Sequence, residues 1–258
     1  MGACIRHRTV ALVVVFAFLA GVALPAAASH HPGVDPRADR IFRVMSDHLK
    51  DAGEFVFEAE ITYDDILPSG QKIQYSAEFT AAVDRPDKVW TSYKGDKRTN
   101  RTFYDGKMFV LYQPVGNVYA TWKAPARIDD LMDRIDAQLG FTPPLSDLLY
   151  SDLYKAVEET MTTGHYAGLH SVNGIPAHHL IYSHDHVDWQ VWIEDGPQPL
   201  LRRIVITFKD EPQSPQFSAT ITKWDLSPRL SQQLFVFDPP EGAQKIDFVP
   251  SGRADEHK

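Results

Sequence analysis

The sequence predicts a mainly β fold of the α+β class: one large, curved antiparallel sheet of about eleven strands, with three or four helices on its concave face. Three observations predict it. Two long stretches near the start alternate apolar and polar residues with period two. Shorter alternating stretches separated by turn residues occupy most of the remaining chain. Segments of helical spacing fall together in the middle, between two runs of strands.

The order begins with a helix. Asp35 is placed to cap a helix from Pro36 to Leu49, along which Ile41, Phe42, Met45 and Leu49 form one apolar stripe, and Gly53 ends it. Phe55, Phe57, Ala59, Ile61 and Tyr63 then alternate with Glu54, Glu58, Glu60 and Thr62. Ile73, Tyr75, Ala77, Phe79, Ala81 and Val83 alternate in turn with Lys72, Gln74, Ser76, Glu78 and Thr80. Such alternation makes strands with one dry and one wet face. Leu67-Pro68-Ser69-Gly70 closes them into a hairpin whose dry faces share one side of the sheet. Short strands follow at Lys88 to Tyr93, Arg98 to Tyr104, Met108 to Gln113 and Val118 to Trp122, with Asp105-Gly106 as a hairpin turn.

The helical segments come next. Ile128, Leu131, Met132, Ile135 and Leu139 sit at helical spacing opposite Asp129, Asp130, Asp133 and Asp136, with Gly140 placed as the C-terminal cap. Pro143-Pro144 opens a second segment carrying Leu145, Leu148 and Leu149, and Leu153 to Val157 forms a third. Strands resume at Tyr166 to Val172, His178 to Ser183, Trp189 to Glu194, Leu200 to Lys209 and Phe217 to Trp224, with turns at Asn173-Gly174 and Asp195-Gly196-Pro197. Helices inserted into an antiparallel meander pack on a sheet face, which places these on the dry side of the opening hairpin.

Residues 1–28 read as a secretory signal peptide: Arg6 and Arg8 precede an apolar run from Val10 to Leu24, and Ala26-Ala27-Ala28 is a small-residue cleavage site. Residues 29–250 then form a single domain and residues 251–258 a flexible tail, with no linker between. Cys4 is the only cysteine of the 258 residues, so without the leader no disulfide, cysteine nucleophile or cysteine metal site is available. The net charge of −8 becomes more negative once Arg6 and Arg8 are removed, which argues against nucleic acid and against adhesion to anionic bilayers. No stable membrane insertion is expected after cleavage, and the protein is placed in the periplasm.

Little in the chain points to catalysis. Glu54, Glu58 and Glu60 line the wet face of their strand, and Asp129, Asp130, Asp133 and Asp136 the solvated side of a helix, whereas acid–base work needs a carboxyl in a cleft that shifts its pKa. No Gly-x-Ser-x-Gly elbow, phosphate loop or His-Glu-x-x-His occurs. His178, His179, His184 and His186 crowd one hairpin, with His165 and His170 on the strand before. A metal site there is the alternative to a His-rich rim, although the spacing matches no zinc pattern. The expectation is a protein that is not an enzyme and has no cofactor and no metal.

The apolar residues are more informative. Phe55, Phe57, Ile61, Tyr63, Tyr75, Phe79, Trp90 and Trp122 on the sheet, with Leu131 and Ile135 on the helix, are the candidate lining of an apolar cavity. The helices offer about one apolar residue per turn, too narrow a stripe to cover a sheet this wide. The remaining space is expected between the opening hairpin and the Ile128 to Leu139 helix, suited to a lipid.

Several stretches resemble known families. Arg85-Pro86 followed by Trp90, Tyr104-Asp105-Gly106-Lys107, Pro114 and Ala120-Thr121-Trp122 resemble the periplasmic lipoprotein carriers, the LolA/LolB/LppX-like fold. Phe235-Val236-Phe237-Asp238-Pro239-Pro240-Glu241-Gly242-Ala243 resembles the closing strand and turn of that family. With that ending, His179-Leu180, Asp188-Trp189-Gln190-Val191-Trp192-Ile193, Pro199-Leu200 and Arg203-Ile204-Val205-Ile206-Thr207 also resemble a family of predicted periplasmic proteins, DUF2092. The resemblance spans nearly all of residues 29–250. It implies an incomplete antiparallel β-barrel, lidded by helices, that binds or carries a lipid, acyl chain or other apolar ligand. Lipoprotein carriers use an arginine as a latch between sheet and lid, and Arg85 stands nearest that position. The alternative is an envelope interaction or sensor module whose partner is a protein and whose core is filled by its own side chains.

Overall fold

The computed structural model describes residues 32–139 and 145–248. The leader, the Gly140 cap, the Pro143-Pro144 start and the C-terminal tail expected from sequence lie outside these residues.

Helix α1 (Pro36–Asp51) starts where Asp35 Oδ1 accepts from the Arg37 N–H at 2.7 Å, satisfying one of the free donors of the first turn. Its buried face carries Phe42, Met45 and Leu49, as the stripe predicts. Strands β1 (Glu54–Ile66) and β2 (Lys72–Asp84) then pair in unbroken register, from Glu54 opposite Asp84 to Ile66 opposite Lys72. Gly70 makes the turn possible at φ 82°, a conformation glycine adopts without Cβ strain. Strands β3 (Lys88–Gly95), β4 (Thr99–Tyr104), β5 (Met108–Gln113) and β6 (Val118–Lys123) continue the meander.

Helix α2 (Ile128–Leu139), a 3-10 turn at Ser146–Leu149 and helix α3 (Leu153–Val157) follow. A second meander runs through β7 (Thr163–Val172), β8 (Ile175–Ser183), β9 (Val187–Glu194), β10 (Leu201–Phe208) and β11 (Gln216–Asp225). At the β7–β8 turn Asn173 and Gly174 have φ of 51° and 82°, the paired left-handed residues of a two-residue hairpin.

The second meander runs back towards the first, so that β11 pairs antiparallel with β1 and the two fuse into one sheet. With β12 (Gln244–Lys245) the order is β12-β6-β5-β4-β3-β2-β1-β11-β10-β9-β8-β7. The edges, β12 and β7, do not pair, and the sheet is the incomplete antiparallel barrel expected. Its twelfth strand is two residues long and parallel to β6, too short to show any alternation.

The helices divide the concave face. Over the second meander, α1 sets the Phe42 ring against Tyr182 and Trp189 at 5.7 and 5.6 Å. Over the first, α2 buries Ile128, Leu131, Met132 and Ile135, and Arg134 of α2 donates to the Lys123 carbonyl of β6 at 2.8 Å. On the outer face, Phe237 packs on Phe103, Tyr112 and Tyr119 at 5.1, 5.4 and 5.0 Å.

Candidate functional site

A cavity of about 1040 Å³ lies between α1, α3 and the Ser146–Leu149 turn on one side and β9–β11 on the other. Strand pleating puts Trp189 and Val191 of β9, Ile204 and Ile206 of β10 and Phe217 of β11 on its floor. The roof comes from spacings of three and four: Phe42 and Met45 of α1, Leu145 and Leu148 at the turn, Leu153 and Val157 of α3. Leu145 takes φ 61°, the left-handed region, where the chain bends into this turn.

Polar residues gather where lining side chains are exposed, around Lys97, Arg98, Glu211 and Gln216. Asp64 accepts from the Gln216 N–H at 3.0 Å and pairs with Lys72 at 3.2 Å. Burial pushes its pKa up, but these partners and Gln74 outweigh it and hold the carboxyl below its ordinary value. Lys97 bridges to Asp65 at 2.6 Å and lies over the Tyr75 ring. Burial, with a hydrogen bond to Tyr63, pushes the Tyr93 phenol up to about 12.

One acid in the cavity wall differs from these. Asp147, in the Ser146–Leu149 turn, has no side-chain hydrogen bond or ion pair among the described residues, and burial alone raises its pKa.

Two contacts hold the lid. Arg85, just past β2, donates from Nη1 to the Leu149 carbonyl and from Nη2 to the Tyr150 carbonyl, both at 2.8 Å. Burial lowers the guanidinium pKa, opposed by the charge of Asp129. The second contact is a buried cluster: the Tyr154 hydroxyl of α3 donates to Asp39 of α1, and Arg43 Nε reaches the same carboxyl at 2.9 Å. Asp39 is 1% exposed. Its position three residues before Phe42, on the apolar side of α1, is the sequence signal for that burial.

Of the ten residues picked out from sequence, Tyr63 lines the cavity. Phe55, Phe57, Ile61 and Phe79 are buried in the core, where Trp224 of β11 covers Phe55 and Phe57 at 6.1 and 5.1 Å. Tyr75 is half-buried against Tyr63, and Trp90 is half-buried. Trp122 packs in tilted contact with Phe109 and Phe248, and Leu131 and Ile135 are buried core of α2. The cavity described above lies over the second meander, with Tyr63 and Tyr93 on the side of the first. Its floor was visible only as the alternation of Trp189 with Val191 and of Ile204 with Ile206.

The histidines fall into separate partnerships. His178 sits 3.1 Å from Asp195 and 3.1 Å from the Tyr166 hydroxyl; His179 stacks on Trp192 and contacts His170 and Gln190. His186 pairs with Asp210, and His184 lines the cavity. Among the described residues no three His, Cys, Asp or Glu side chains converge as metal ligands.

Fold and site together define an open antiparallel half-barrel with a helical lid over an apolar cavity. The chain belongs to the family described as predicted periplasmic protein, DUF2092, whose model matches residues 38–249. No curated protein matches it. Among solved structures it is similar to an uncharacterized conserved protein from Thermus thermophilus, at 12% identity over 80% of this chain and 99% of that one, TM-score 0.46. It is similar also to LprF from Mycobacterium bovis, at 14% identity over 77% and 97%, TM-score 0.45. The lipoprotein LppX of Mycobacterium tuberculosis shares 12% identity over 76% and 98%, TM-score 0.38. Likenesses at this level carry no argument about function. No helix among the described residues is long and apolar enough to cross a membrane.

Proposed function

We propose that this protein binds or carries a lipid, an acyl chain or another apolar ligand of that size in the cavity over β9–β11, as an exported, non-enzymatic protein of the periplasm. The observation that carries this reading is the cavity itself. Protein interiors are close-packed with few voids larger than a water molecule, whereas this space holds about 1040 Å³ and is walled by aliphatic and aromatic side chains. Ligand sites run to about 300–1,000 Å³ with a few polar groups, and apolar voids take up apolar ligands. The polar residues at the exposed end suit a ligand with one wetter end.

The test is purification without detergent, solvent extraction and mass spectrometry, followed by titration of the delipidated protein with a neutral fluorescent apolar probe. Stoichiometric lipid or saturable uptake of the probe supports the reading. Protein that is empty and takes up no probe overturns it, and a stoichiometric protein partner captured by such lipid-free material would favour the interaction-module alternative.

A further inference from the structure

Asp147 is the group in the cavity that apolar burial does not explain. It lies on the Ser146–Leu149 turn, between Leu145 and Leu148, which also line the cavity. Of the other acids near the exposed end of the cavity, Asp64 pairs with Lys72, Asp65 pairs with Lys97, and Glu211 is exposed to water. Lys97, Arg98 and His184 line the same cavity, yet among the described residues no hydrogen bond or ion pair joins any of them to Asp147, and burial raises its pKa. Asp147 is half-buried, and a ligand that fills the cavity it lines displaces the water left on it; a carboxyl buried in that way without a donor is costly and is normally satisfied by hydrogen bonds. Here the missing donor has a place to come from, because the carboxyl borders a ligand-sized space.

We infer that Asp147 is the specificity-determining residue of the cavity, and that the ligand is an apolar molecule bearing a hydrogen-bond donor, an amine or an alcohol, and not a carboxylate. The inference rests on the apolar-ligand reading and narrows it. A donor on the ligand satisfies the carboxyl in either protonation state. A ligand carboxylate placed there sets two acids against each other in a dry site, which raises the cost of binding. Leaving a buried polar group unpaired disfavours a ligand that lacks the donor, a stronger filter than apolar shape alone.

The experiment uses the delipidated full chain near neutral pH and measures displacement of Nile red by three probes of equal chain length: dodecylamine, dodecan-1-ol and dodecanoate. The expected result is that the amine and the alcohol displace the dye at about tenfold lower concentration than dodecanoate, the size expected of one charged or well-placed hydrogen bond. In Asp147→Leu that ratio falls to near one; in Asp147→Asn, which keeps the shape, the amine loses more than the alcohol. Because each comparison is a ratio on one variant, a general loss of affinity cancels. Equal displacement by all three probes, a preference for dodecanoate, or a preference that survives Asp147→Leu overturns the inference while leaving the apolar-ligand reading intact. Failure of Nile red and of all three probes to bind the parent protein overturns both.

Discussion

Arg85 Nη1 donates to the backbone carbonyl of Leu149 at 2.8 Å, so a side chain at the end of β2 holds a main-chain group of the lid turn. The second arm of the same guanidinium takes the Tyr150 carbonyl. One residue therefore ties the first meander to the roof of a cavity floored by the second.

Arg85→Ala removes two charge-assisted hydrogen bonds and leaves two carbonyls to find other donors. It is expected to lower stability by about 2–4 kcal/mol and to speed escape of a bound apolar probe. Denaturant titration and stopped-flow dissociation measure the two effects. Arg85→Lys, a single donor without the fork, falls between parent and alanine.

Tyr154→Phe deletes the hydroxyl that Asp39 accepts from at the α1–α3 contact. Because Asp39 is buried, the expected cost is about 1–3 kcal/mol, read as a lower denaturant midpoint.

Ile204→Trp places a ring in the cavity. Each methylene excluded from burial removes about 0.8 kcal/mol of ligand affinity, so exclusion of two lowers affinity by at least about tenfold. Probe titration checks it, with circular dichroism confirming the fold.

The pH dependence of stability follows from Asp147. The unfolded chain releases this proton near the ordinary carboxylate value of 3.8, whereas the folded chain holds it to higher pH. Within that window the folded state binds more protons than the unfolded, so stability falls as pH rises from 3.8 towards the raised folded value. Asp147→Asn removes the effect: relative to the parent it gains stability at about pH 7 and gains none at about pH 3. Denaturation at the two pH values measures the difference.

Gly164→Ala tests the attachment of the N-terminal segment to β7. A Cβ there would lie 2.7 Å from Tyr182 Cε1 and 2.8 Å from Val34 Cγ1, where Val34 bridges to Gly164. Overpacking of this kind costs about 1–3 kcal/mol and lowers the melting temperature.

Features written in local spacing were legible in the sequence. Asp35 before Pro36, the alternation from Phe55 to Tyr63 and from Ile73 to Val83, and the Asn173-Gly174 turn each depend on a few neighbouring residues, and each recurs in the structure. The position of the cavity depends on which distant strand arrives beside β1. Trp224, on the far side of the chain, fills the space over Phe55 and Phe57, and no local pattern announces that pairing. The partners of Arg85 and Tyr154 were hidden for the same reason. Asp147 sits in a leucine-rich turn whose depth is known only once the helices are laid over the second meander.

The seam between β1 and β11 joins residues as far apart as Glu58 and Lys223, 165 positions along the chain. A closure of that span is slow, because chain entropy must be lost before any contact across it forms. Until β11 has emerged, whether from a ribosome or a translocation pore, the Phe55 and Phe57 rings have no Trp224 against them. A chain cut short before Gln216 can form the first meander and still present its aromatic face to other molecules, which makes truncated product a source of aggregation. The central strand of the finished sheet is therefore the most exposed strand of the growing one.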